Sequence, residues 1–277
     1  MALFNISPLN SLQFVRSDDL LESLRNTAYQ DITSLSKMPY CQKLNMGDTV
    51  TIQVKTDYTT VTAYFYNILT NTTTALIPVK ETTYTGFSFW EIPVGIITTG
   101  FYKIFVSGIL SGSTPVLWVS EMIEVRSSWE GVKIDYYNTE NTPYVDYSNS
   151  LRHMMRVGGI IRFSDIGGKE DIYDNLGSKE IINVVNDTIY DLVVENIPYY
   201  LCKQLIYASR CDVFKVNDVE YISEEHSLVP HPGSHNFDIT LKMTEKEVYG
   251  INADDDSHSF MWLPSTSGDD ITETAST

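Results

Sequence analysis

TVTIQVKT, residues 49–56, sets Val50, Ile52 and Val54 against Thr51, Gln53 and Lys55. Successive side chains of a strand point to opposite faces, so this period of two predicts a strand with one buried face. Asn45 and Gly47-Asp48 supply the turn before it. The same signature recurs downstream in VTAYFYNIL from Val61, TALIPV from Thr74, FSFWEIPV from Phe87, FYKIFVSGI from Phe101 and PVLWVSEMIEV from Pro115. With the segment around Met38 to Leu44, that makes about seven strands in roughly 95 residues.

Short strands at this spacing predict an immunoglobulin-like β-sandwich over residues 35–126. Tyr102, just after Gly100 at the start of a late strand, stands where such sandwiches carry a tyrosine corner. No paired-cysteine signature accompanies it, so the likeness is one of architecture only.

The polar, tyrosine-rich stretch SSWEGVKIDYYNTENTPYVDYSNS, within residues 127–150, reads as a linker. Residues 151–251 then read as a smaller α+β domain. RVGGIIRFS is a strand with a double glycine, and Asn186-Asp187 and Asn217-Asp218 each suit the positive φ of a tight hairpin. Between them, Pro198 opens a helix on which Leu201, Leu205 and Ala208 share one face with Cys202 beside them. Phe237, Ile239, Leu241 and Met243 alternate along a final strand. The fold class is therefore mainly β: an N-terminal immunoglobulin-like β-sandwich followed by a smaller α+β domain with two hairpins and one short helix.

Both ends differ from these cores. Residues 1–34 read as an N-terminal helical arm, with Ser17 as cap, Asp18 and Asp19 in the first turn, and Leu20, Leu21, Leu24 and Ala28 as a narrow apolar stripe. So short a helix needs a domain or a neighbouring subunit to pack on. Residues 252–277 read as an acidic docking tail in which Phe260, Met261, Trp262 and Leu263 form an apolar anchor amid Ser, Thr and Asp. Those four residues, with Leu20 and Leu24, are the candidate assembly contacts.

Thirty-six acidic residues against 19 basic ones give a net charge of −17 over 277 residues. That field repels phosphate backbones and anionic headgroups, which argues against specific nucleic-acid binding and membrane insertion. No apolar run approaches the ~18 residues of a membrane-spanning helix, so a soluble protein is expected. The start lacks a basic leader and an apolar core, so synthesis in the cytoplasm is expected and the sequons at Asn5, Asn71 and Asn186 are chance matches. Cys41, Cys202 and Cys211, an odd set without a CxxC pair, read as reduced thiols.

Signatures of chemistry are missing. Gly168-Lys169 is followed by Glu170, which rules out a phosphate loop, and no GxSxG, HExxH or dinucleotide glycine pattern occurs. His226, His231 and His235 cluster near Glu224 and Glu225, but Pro230 and Pro232 keep that loop extended, so it reads as solvated. Asp254, Asp255 and Asp256 lack the alternating ligands of a calcium loop. No catalytic residue, metal ligand or cofactor is assigned. Two alternatives stay open: a surface-displayed carbohydrate-binding or adhesion module using Tyr64, Tyr66, Trp90 and Trp118, and a glycoside or metal-dependent hydrolase hidden among the many carboxylates.

PYCQKLNMGDTVTIQVKTDY from Pro39, IIRFSDIGGKEDIYDNLGSKEI, IPYYLCKQLIYASRCDVFKVNDVEYI and FDITLKM together resemble structural proteins of bacteriophages infecting gut Bacteroidetes. The likeness spans roughly residues 35 to 250 and is nearest to ring and tail components of crAss-like phages. It implies a non-enzymatic virion protein of the tail, present in many copies below the portal. Its implied partners are itself as a ring and neighbouring tail, portal or ring proteins. The family has no catalytic motif, so the resemblance implies no site residues.

Overall fold

Thr49–Thr56 is a strand, and Val50, Ile52 and Val54 are fully buried between two sheets. The computed structural model describes residues 4–7, 9–17, 40–57, 60–76, 80–81, 87–109, 116–143, 145–148, 150–175, 178–234 and 236–246. In chain order the sandwich strands are β1 (Phe4–Ile6), β2 (Phe14–Ser17), β3 (Cys41–Asn45), β4 (Thr49–Thr56), β5 (Thr60–Asn67) and β6 (Thr72–Leu76). β7 (Lys80–Glu81), β8 (Phe87–Pro93), β9 (Gly100–Ile109), β10 (Val116–Ser120) and β11 (Met122–Arg126) complete them.

One sheet has the order β1-β4-β8-β7; the other runs β2-β10-β9-β11-β3, with β5 also paired to β9 and β6 to β5. β10 and β11 are one run of chain beside β9, interrupted at Glu121. On its far side β2 pairs with the first half and β3, running parallel, with the second. Trp90, Phe65, Ile52, Ile92, Ile104 and Ile123 fill the core.

Tyr102 makes the tyrosine corner its position predicted. Its hydroxyl donates to the Thr98 carbonyl four residues back at 3.0 Å, which ties the β8–β9 corner to the strand. Tyr102→Phe keeps the packing and removes that bond, so it should lower stability by about 1 kcal/mol, measured by urea unfolding.

The second module is a sheet that is antiparallel throughout, in the order β13-β12-β16-β17-β18-β15-β14. Its members are β12 (Val132–Tyr137), β13 (His153–Val157), β14 (Gly159–Asn175), β15 (Ser178–Ile197), β16 (Val213–Val216), β17 (Val219–Pro230) and β18 (Phe237–Glu245). Between β15 and β16 lies the one α-helix among the described residues, α1 (Tyr199–Ala208), with Pro198 at its N-cap; a single 3₁₀ turn, Val94–Ile96, follows β8. Leu201, Cys202, Leu205 and Ala208 are buried in one core with Ile134, Leu192, Val194, Ile239 and Leu241.

Three local expectations fare differently. Asn217 and Asp218 have φ of 50° and 69° between the paired Val216 and Val219, the two-residue hairpin their identities predict. Asn186 and Asp187 instead lie inside β15, opposite Gly168 and Gly167, and the hairpin closes between Asn175 and Ser178. Local turn preference is overridden there by a ladder that continues on both sides. The segment read as a linker contains β12, whose Val132, Ile134 and Tyr136 are buried in the second core.

The outer face of β4, expected to be solvated, is covered as well: Thr51 is 4% exposed and Gln53 fully buried. The Gln53 side chain donates to the Asp146 carbonyl (2.8 Å) and accepts from its N–H (2.9 Å). Its backbone is matched by Asn10, which accepts from the Gln53 N–H (3.0 Å) and donates to the Gln53 carbonyl (3.2 Å). The N-terminal segment then crosses to the second module. The Leu9 carbonyl accepts from the Tyr136 hydroxyl (2.7 Å), and the Asn10 carbonyl accepts from the Gln204 side chain (3.0 Å).

β13 serves both cores by its alternation. Met155 and Val157 face the second core, while Met154 joins the sandwich core and Arg156 reaches the sandwich turn at Asp48. Residues Met1–Lys246 accordingly form one compact unit. Among the described residues no helix is long and apolar enough to cross a membrane.

Candidate functional site

The feature that departs most from a closed domain is the hairpin of β14 and β15. β18 pairs with β15 only from Ile189 to Ile197. Beyond that point β14 and β15 pair with each other as far as Asn175 and Ser178, and no third strand joins them among the described residues. From Thr188 to Ser178 this two-stranded ribbon extends roughly 35 Å at the usual strand rise. Extra residues at Ser164 and Ile182 shift the register, the kind of bulge that bends and coils a ribbon. The sequence of β15, SKEIINVVNDTIYDLVVENI, is rich in Ile and Val and has no proline, which suits an uninterrupted strand.

Such a ribbon presents two open edges of backbone N–H and C=O groups, and an isolated hairpin is marginal in water. Near its base, Ile160, Phe163 and Ile166 are 60%, 62% and 62% exposed. Phe163 and Ile166 stand opposite Tyr190 and Thr188, in period with the buried Leu192 and Val194. They carry the apolar face of the sheet into solvent.

A small cleft of about 200 Å³ lies beside the ribbon base, lined by Trp129, Glu130, Gly158, Gly159, Ile160, Val193 and Glu195. Trp129 packs over Gly131, where a Cβ would come within 2.2 Å of the ring, and Lys43 Nζ sits 5.0 Å from the indole centroid. The volume falls below the several hundred Å³ typical of small-molecule sites.

The histidines do not converge. His226 is exposed on β17 opposite Leu241, His231 Nδ1 pairs with Asp238 Oδ1 at 2.7 Å, and His235 lies outside the described residues. Among the described residues no group of three or more His, Cys, Asp or Glu side chains is placed to hold a metal. Burial pushes the thiols up, Cys41 and Cys202 to about 12 and Cys211 to about 11, so they are protonated and poorly nucleophilic at neutral pH. Of the aromatics considered for sugar stacking, Trp90 is fully buried and Trp118 packs on the sandwich core. Tyr64 stacks on Phe105 at 5.2 Å and Tyr66 meets the same ring edge-on at 5.8 Å.

Two buried ionisable groups lie where the sandwich meets the second module. Glu121, at the break between β10 and β11, is 7% exposed and hydrogen-bonded to Tyr200 of α1. Desolvation lifts its carboxyl to about 7 against the opposing pull of the Tyr200 hydroxyl and the Gln13 amide. His153 is fully buried, and desolvation lowers it to about 3.

The six predicted assembly contacts, Phe260, Met261, Trp262, Leu263, Leu20 and Leu24, lie outside the described residues, as do residues 18–34 of the predicted helical arm and the tail at 252–277. The first part of that arm, read as 1–34, is not helical, since Phe4–Ile6 and Phe14–Ser17 are strands taken up by the edges of the two sandwich sheets. The ribbon escapes a reading of the sequence because Asn186-Asp187 has the identity of a turn; the signal for it is the proline-free Ile/Val run on both sides of that pair.

No family model, curated protein or solved structure matches the chain.

Proposed function

We propose that this chain is a non-enzymatic virion structural protein that assembles with copies of itself as a ring component of a phage tail. The observation that carries the reading is the ribbon of β14 and β15, whose open edges and exposed Ile160, Phe163 and Ile166 suit burial against a neighbouring molecule. Two modules locked through β13 add a rigid body from which such an arm can project. The net charge of −17 suits a surface that lets DNA pass without binding it.

The test is to shorten the arm. Residues 168–186 are replaced by an Asn-Gly turn, and the variant is compared with the full chain by mass photometry and electron microscopy. The full chain should form discrete closed oligomers, and the shortened one should remain a monomer with an unchanged melting temperature. A full chain that stays monomeric at tens of micromolar, or a shortened chain that assembles equally well, refutes the reading.

A further inference from the structure

We propose that Glu121 is a proton-operated latch: protonated, it fastens α1 and the N-terminal segment to the sandwich; ionised, it lets them part. Such a latch would operate whether or not the chain belongs to a phage tail.

The geometry converges on one carboxyl group. Glu121 Oε1 accepts from the Gln13 N–H at 3.0 Å, and Oε2 is hydrogen-bonded to the Tyr200 hydroxyl. The Glu121 backbone N–H donates to the Gln13 carbonyl at 2.8 Å. Ser120 Oγ donates to the Glu121 carbonyl (2.7 Å) and accepts from the Ile104 N–H (2.8 Å), which fixes the break in the strand. Three segments distant in sequence therefore meet at this side chain: residues 13, 121 and 200.

Close to it stand Tyr200 from α1 and Tyr40 and Cys41 at the start of β3; Cys202 in turn lies near Tyr40, and Glu124 of β11 near Cys41. Lys43 and Arg126 act on the neighbouring Cys41, Arg126 is itself paired with Glu124 at 2.7 Å, and Lys103, buried on β9, lies on the strand that pairs with β10 and β11 on either side of Glu121. The hydrogen-bond partners of the Glu121 carboxyl among the described residues are the Gln13 amide and the Tyr200 phenol, neither of which carries a positive charge. Their hydrogen bonds offset part of the desolvation penalty of the buried carboxylate, and desolvation remains the larger effect.

The sign follows from linkage. The closed-state pKa of about 7 lies above the ordinary value of 4.5, so closure is fully favoured below about 4.5 and weakens as pH rises to about 7. Opening should therefore increase about tenfold per pH unit across that window, roughly 300-fold in all.

Hydrogen exchange on the full chain reads this directly. After correction for intrinsic chemistry, opening at Gln13 and across Leu201–Leu205 should rise on the order of 100-fold from pH 5 to pH 8. In Glu121→Gln that rise should vanish. In parallel, the carboxylic C=O infrared band present in the wild type and missing in Glu121→Gln should disappear with a midpoint near pH 7. Tyr200→Phe removes a bond that holds the carboxyl down, so its midpoint should move higher, which keeps the test intact if Glu121→Gln fails to fold. A midpoint near 4.5, equal pH dependence in wild type and Glu121→Gln, or an unmoved midpoint in Tyr200→Phe overturns the proposal.

Discussion

Arg156→Ala should lower the stability of the whole Met1–Lys246 unit by about 3–5 kcal/mol, the cost of leaving a buried charge without its partner. Arg156 Nε and Nη2 grip the two carboxylate oxygens of Asp48 at 2.6 and 2.7 Å, while Nη1 donates to the Gly131 carbonyl at 3.2 Å. Asp48 also accepts from the Asn45 N–H at 2.7 Å, holding the turn before β4. Its side chain is only 3% exposed and that of Arg156 14%, so water replaces little of what is lost. The pair joins β13 of the second module to the sandwich, so both modules should unfold in one transition that shifts as a whole. Arg156→Lys keeps the charge but loses the planar fork, and should recover only part of the loss. The double variant Asp48→Asn/Arg156→Met should cost less than the sum of the single changes, as expected when a pair is removed together. A single-variant loss under about 1 kcal/mol in urea unfolding would show that the pair is solvated.

The second large effect is a compensation in pH. His153 is enclosed by Tyr136 and Tyr147, with ring centroids 5.2 and 6.0 Å away. The Thr51 hydroxyl donates to the Arg152 carbonyl (2.6 Å), so it accepts from His153 Nδ1–H (3.3 Å), and Nε2 has no hydrogen-bond partner among the described residues. The neutral imidazole is what this site holds, and its pKa falls from 6.5 to about 3. A depressed histidine contributes stability that is present above about 6.5 and lost as pH falls towards 3. Glu121 acts in the opposite sense between about 7 and 4.5. From 6.5 to 4.5 the two slopes cancel, so these groups leave the wild-type stability level there. Glu121→Gln removes one side of the balance, and its stability should fall by about 1.4 kcal/mol per unit below pH 6.5, about 5 kcal/mol by pH 3. Adding His153→Asn to that variant should flatten the curve again. Urea titrations at four pH values decide it: parallel curves for wild type and Glu121→Gln would exclude the compensation.

Much of the architecture is legible from period alone. Val50, Ile52 and Val54 declare a strand, and Leu201, Leu205 and Ala208 declare a helix face, because each pattern reports burial within one element. Gln53 misleads because its burial depends on Asn10 and Asp146, 43 and 93 residues away, and period two cannot report what covers an outer face. β12 carries a readable signal that its surroundings hide: Val132, Ile134 and Tyr136 alternate with Lys133, Asp135 and Tyr137 inside a stretch whose polar flanks resemble a linker. Glu121 leaves a trace too, since Ser120-Glu121 interrupts the apolar alternation at the point where the strand changes partners. That Tyr200 meets it is a matter of tertiary placement, with no local signal.

The N-terminal segment has a consequence for biogenesis. Leu9, Asn10 and Gln13 leave the ribosome before every one of these partners: Gln53, Glu121, Tyr136 and Gln204, the last 194 residues downstream of Asn10. Asn10 can meet Gln53 early, but the bonds to Glu121, Tyr136 and Gln204 must wait until those residues have been made, while the strands between collapse around a seat still incomplete. Contacts of such span form late and slowly. A segment made before its partners is seated in stages, its bond to the helix coming last, like a keystone cut before the arch.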